Sequence, residues 1–107
     1  MVELINLTPH PIVVDNGSAR KVYEPSGVVA RVETESTVVG EVDGFDVVTN
    51  RVLGHNVPDP KEGVVYIVSA MVLALLSDRT DLVAPDTGKA ARNEQGHIVS
   101  VPGFVRS

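Results

Sequence analysis

Val64-Val65-Tyr66-Ile67-Val68-Ser69-Ala70-Met71-Val72-Leu73-Ala74-Leu75-Leu76-Ser77 contains the longest apolar run of the chain. Its first five residues are β-branched or aromatic and read as a buried strand. Ser69 is an N-cap type, and the residues after it read as a short helix, apolar nearly all round. A helix without a polar face has to be buried on most sides. This strand-Ser-helix unit is therefore expected at the centre of the fold. The run falls short of the ~20 residues that span a bilayer, so no membrane span is expected.

Outward from this unit the chain reads as strands and turns. Valine recurs in pairs (Val13-Val14, Val28-Val29, Val38-Val39, Val47-Val48), and branching at Cβ suits a pleated sheet. Strands are expected over 2–7, 12–15, 18–23 and 28–34. Thr8-Pro9-His10-Pro11 must break the first, because proline cannot donate to a ladder. Asn16-Gly17 predicts a two-residue type I′ turn. Asp43-Gly44 predicts a second hairpin, between 37–42 and 45–52. Both faces of that ribbon carry valine, so it is expected to be covered twice or to reach a neighbouring subunit. Residues 54–63 read as a loop or flap. A short strand is expected over 81–84 and a last hairpin between 89–93 and 97–101. Phe104 is placed to anchor the tail.

The expected class is thus α+β, mostly β, with several antiparallel hairpins packed around one short buried helix at about 69–77. No repeat, low-complexity stretch or linker divides residues 1–107, which are read as one domain. At 107 residues the core is modest, and a symmetric homo-oligomer would enlarge it.

The formal charge of −5 argues against duplex nucleic acid, whose binding depends on basic patches. With no cysteine, disulfides, thiolate zinc sites and cysteine nucleophiles are all excluded. His10, His55 and His97 are not at zinc-ligand spacing. No cofactor motif, nucleophile elbow or phosphate loop is present. The start lacks a basic segment followed by an apolar one, which fits a cytoplasmic protein.

Three polar groups remain as candidate ligand-binding residues, each with a structural alternative. Asn6, Thr8 and His10 offer hydrogen bonds on a proline-stiffened loop, or close a sharp corner on themselves. Ser69 begins a helix whose free N–H groups suit an anion, or caps those groups itself. Arg79 and Asp81, with Asp86 and Arg92, form the densest polar region. Arginine suits carboxylate or phosphate, and it equally suits a salt bridge to Asp81 or Asp86. Asp86-Thr87-Gly88 is similar to the aspartic-protease triplet, although a protease of that kind pairs two such carboxylates.

Ile5-Asn6-Leu7-Thr8-Pro9-His10, the run from Glu24 through Val32, Tyr66-Ile67-Val68-Ser69, and Arg79-x-Asp81-Leu82-Val83-x-Pro85-Asp86 followed by Arg92 and Gly96 resemble a family of small bacteriophage and prophage proteins. The resemblance covers nearly the whole chain. It implies a phage context and action in the bacterial host cytoplasm, without an activity. The first expectation is a non-enzymatic binder of a small polar or nucleotide-like ligand, sequestering a nucleotide-derived immune signal of the host. Arg79 and Arg92 would meet phosphate, Asn6 and Thr8 base or sugar, and the 54–63 loop would cover them. The alternative is a protein-interaction module that inhibits a host protein, or a minor phage structural protein. A third reading is a hydrolase using Asp86 or Asp81.

Overall fold

The computed structural model describes residues 2–107. β6 (Val64–Ile67) leads through Ser69 into α1 (Ala70–Leu75), and the Ser69 hydroxyl accepts the Val72 N–H at 3.2 Å. The chain returns as β7 (Leu82–Pro85), parallel to β6, with Tyr66 opposite Leu82. On the other side of β6 lies β1 (Glu3–Asn6), also parallel, with Asn6 opposite Ile67. β10 (Phe104–Val105) pairs antiparallel with β7 and completes the order β1-β6-β7-β10. The fold is mostly β with one short helix, but its central sheet contains two parallel pairs. Parallel strands are joined by crossovers and not by tight turns. Turn signals in the sequence therefore report only the hairpins around this sheet.

Val64, Tyr66 and Val68 alternate on one face of β6 and its extension. With Leu7, Val57, Leu82, Ala84, Val72, Leu73 and Leu76 they form the core. Ile67 and Val83 point to the other face and are buried as well, as strands covered on both faces should be. Each such side chain contributes about 1.5–3 kcal/mol by leaving water. The helix is not buried on most sides as its composition predicts. Val72 and Leu73 face the core, while Met71 is 72% exposed. With six residues, α1 covers the sheet with a single stripe, and Ala70, Met71 and Ala74 on its outer side are exposed.

β2 (Ile12–Asp15) and β3 (Arg20–Tyr23) form the first hairpin. The expected two-residue turn is replaced by a loop over 16–19, because the Asn16 carboxamide oxygen accepts the Ser18 and Ala19 N–H groups. The strand expected over 28–34 begins only at Val32. Upstream, Asn56 takes the backbone instead, donating to the Val29 carbonyl and accepting the Arg31 N–H. β4 (Val32–Val42) and β5 (Phe45–His55) are each eleven residues long. Between them Asp43 (φ 53°) and Gly44 (φ 83°) make the type I′ turn. The loop after β5 is anchored, with Val57 buried and the Pro58 carbonyl bound by Arg79.

A 3-10 turn (Thr87–Lys89) precedes the last hairpin, β8 (Ala91–Arg92) and β9 (Ile98–Ser100). The residue after β9, Val101, is tied to β2 by hydrogen bonds with Val13 and Asp15. Phe104 holds the tail by an edge-on contact with Tyr23, ring centres 6.1 Å apart.

The radius of gyration is 16.3 Å, against about 13 Å for a compact chain of this length. The excess comes from the β4–β5 ribbon. Eleven extended residues reach about 35 Å, and nearly every residue from Glu33 to Arg51 is exposed.

Candidate functional site

The structure separates the polar candidates into small groups, most of them satisfied within the chain. Asn6 is 2% exposed. Its amide nitrogen donates to the His10 and Tyr23 carbonyls, both at 2.9 Å, and its oxygen accepts the Thr8 N–H and hydroxyl at 2.8 and 2.7 Å. The Thr8 hydroxyl is also 3.0 Å from the His10 carbonyl oxygen. Asn6 and Thr8 thus close the Thr8-Pro9-His10-Pro11 corner on itself and pin it to the end of β3.

Ser69 caps α1, as described. Arg79 grips Asp81 with two parallel bonds of 2.7 Å, Nε to one carboxylate oxygen and a terminal nitrogen to the other, and binds the Pro58 carbonyl at 2.8 Å. Both side chains are about 15% exposed. The Arg79 hydrogen bonds hold the Asp81 carboxyl below its ordinary range, against the opposing effect of burial. The same bonds raise the Arg79 guanidinium. This is the fork geometry that favours arginine over lysine, used here to fasten the 56–63 loop to the start of β7. Arg92 donates to the Gly96 carbonyl at 2.8 Å across its own hairpin. Asp86 is half-buried just before the 3-10 turn.

Among the candidates, His10 lines a cleft. The cleft has a volume of about 420 Å³ and runs between β2 and β9, walled by Ile12, Val13, Ile98, Val99 and Pro85, with Thr87 and Ser100 as hydroxyls. No lysine or arginine lines it. Ile98 and Val99 are 43% and 50% exposed. A second, more polar depression is formed by Arg31, Glu33, Gly54, His55 and Asn56 at the base of the ribbon.

The β4–β5 ribbon is the other unusual surface. Residues opposite one another share a face, and the faces alternate along each strand. Val42 stands opposite Phe45, and Gly40 opposite Val47, so these four share one face at the tip. Glu41 opposite Asp46 lies on the other. A bulge at Val39 interrupts the register between Val38 and Gly40. Phe45 is 75% exposed, Val39 64% and Val42 63%. Nearer the body the ribbon is held by polar cross-strand contacts, Arg51 to Glu35 at 2.8 Å and Ser36 to Asn50 at 2.6 Å. No polar motif marks this tip in the sequence; the valine on both faces of 38–48 is its signal. The cleft walls carried no such signal, because short apolar strands look the same in sequence whether buried or exposed.

Among the described residues no cluster of three or more His, Asp or Glu could hold a metal ion. No helix there is long and apolar enough to cross a membrane. No family model, curated protein or solved structure matches this chain.

Proposed function

We propose that the protein is a non-enzymatic interaction module whose working part is the β4–β5 arm, in keeping with its resemblance to small phage proteins of the bacterial cytoplasm. One observation carries this reading: Val42 and Phe45 stand opposite one another on one face, both exposed, at the end of a ribbon whose partly buried residues Val32 and Val52 lie near its base. A two-stranded ribbon alone in water is marginal, and exposed apolar patches mark contact sites. A partner supplies what the ribbon lacks.

The test pairs the wild type with a Val42→Ser/Phe45→Ser variant. Association is read by light scattering on the pure protein and by affinity capture from bacterial lysate. The wild type is expected to show an association, with itself or a stoichiometric partner, that the variant loses. Identical behaviour of the two chains would overturn the reading.

A small-ligand role is supported by the cleft beside His10, whose volume is in the range of ligand sites. Its walls are apolar, and Arg79 and Arg92 hold partners elsewhere, so a phosphate-rich ligand would lack its cations there. A nucleotide at a hundred times its dissociation constant stabilises by about 2.7 kcal/mol, a shift on the order of 10 °C in a domain this small. A shift of that size would restore the ligand reading over the arm.

A further inference from the structure

We infer that Asn16 is a self-modification site: the loop between β2 and β3 is assembled to deamidate it, with the Gly17 nitrogen as nucleophile and the Asp15 carboxylate as base. The site lies outside the arm and does not depend on the arm's role.

An asparagine can close a five-membered ring when the backbone nitrogen of the next residue attacks its side-chain carbonyl carbon. Glycine in that next position has no Cβ to obstruct the approach. Asn16 alone among the asparagines precedes a glycine. Three hydrogen bonds then fall on the atoms that react. The Gly17 N–H donates to an Asp15 carboxylate oxygen at 2.9 Å, so the attacking nitrogen already faces an acceptor for its proton. The Asn16 carboxamide oxygen accepts the Ser18 and Ala19 N–H groups at 2.9 and 2.8 Å. Two backbone donors aimed at the oxygen on which charge develops form an oxyanion hole. Residues 15–19 are all exposed, and nothing packs where a Cβ on Gly17 would stand. Water therefore has access to the loop.

The bond between the Gly17 nitrogen and the Asn16 side-chain carbon forms as the N–H proton passes to Asp15. The carbonyl electron pair moves to the oxygen held by Ser18 and Ala19. On collapse the carboxamide C–N bond breaks, and its nitrogen takes the proton from Asp15 and leaves as ammonia. Water opens the resulting succinimide at either carbonyl, giving aspartate or isoaspartate at position 16. Both products add a negative charge. Isoaspartate also lengthens the main chain inside a loop closed by the Asn16 N–H on the Ala19 carbonyl at 3.2 Å.

Asn93 is the internal control. Its carboxamide oxygen also accepts two N–H groups, from Gln95 and His97 at 3.0 Å. The nitrogen that follows it belongs to Glu94, whose side chain crowds the attack.

The test incubates the pure folded protein at neutral pH and follows each asparagine by peptide mapping with isoaspartate detection. The same chain in guanidinium supplies the rate of the unstructured sequence. General-base assistance in enzymes is worth about 10²–10⁴-fold, and an exposed loop should give on the order of tenfold. Asn16 is therefore expected to convert about tenfold faster in the folded chain than in the unfolded one, with Asn93 unchanged. Asp15→Asn keeps an acceptor for the Gly17 N–H but removes the base, and should abolish that advantage. Conversion in the folded chain no faster than in guanidinium would show that the loop shields Asn16, and overturns the inference. A folded-state rate that Asp15→Asn leaves unaltered, or conversion at Asn93 matching that at Asn16, overturns it as well.

Discussion

Glu41 stands directly opposite Asp46 near the end of the arm, two carboxylates on one face of an exposed ribbon. Like charges in this position destabilise a hairpin. The residues on the opposite face, Val42 and Phe45, are apolar and exposed. An arm built for its own stability would carry neither feature. Replacing Glu41 with Thr is expected to stabilise the ribbon by about 0.2–1 kcal/mol. The effect is read by hydrogen exchange of the arm amides, and unchanged protection would show that the facing carboxylates cost the ribbon nothing.

Asn6→Asp tests the corner at Thr8. The side-chain nitrogen of Asn6 donates to two carbonyls, and a carboxylate would face both without a proton to give. Leaving buried acceptors unsatisfied costs about 1–3 kcal/mol each. Asn6→Asp should therefore lower Tm by on the order of 10 °C or more at neutral pH. An unchanged melting curve would show that the corner stands without the amide.

Arg79→Ala removes the fork that holds Asp81 and the Pro58 carbonyl. The pair is mostly covered, so the expected loss is about 1–3 kcal/mol, between exposed and buried ion pairs. The pH dependence has a definite sign. The folded-state pKa of Asp81 is depressed, so the stability it supplies is present above its unfolded pKa near ~3.9. That stability is lost as pH falls through the folded value. Asp81→Asn should flatten this acid limb of the stability curve, as measured by denaturant titration at several pH values. A limb of unchanged steepness would place the acid sensitivity elsewhere.

Leu82→Ala probes the centre of the sheet. Leu82 is fully buried opposite Tyr66, and emptying such a site costs about 2–5 kcal/mol. Chemical denaturation should show this loss with an unaltered m-value. A loss below about 1 kcal/mol would mean that α1 and β6 collapse readily onto the gap.

The legible parts of the sequence are local ones. Asp43-Gly44 set the arm's turn, Ser69 capped its helix, and the apolar run at 64–68 marked the buried strand. These signals need only neighbouring residues. Parallel pairing of β1 with β6 joins Asn6 to Ile67, and no local signal encodes a contact across that separation. The polar candidates were legible in sequence, and Asp81 was one of two carboxylates offered to Arg79, but the choice between them and a ligand was not. Arg79 reads the same whether it meets a ligand or Asp81, and only the folded backbone brings the Pro58 carbonyl to it. The arm was visible as valine on both faces. Its exposure was not, because nothing in residues 38–48 says whether the rest of the chain will cover them.

The arm's role in association is tested most directly by comparing the wild type with the Val42→Ser/Phe45→Ser variant, by light scattering from micromolar to submillimolar concentration and by affinity capture from bacterial lysate. The account predicts that the wild type either climbs above the 11.4 kDa of one chain or holds a stoichiometric partner, while the variant does neither and keeps its melting temperature. A wild type that stays a single chain and holds no partner, or a variant that associates as the wild type does, would contradict it.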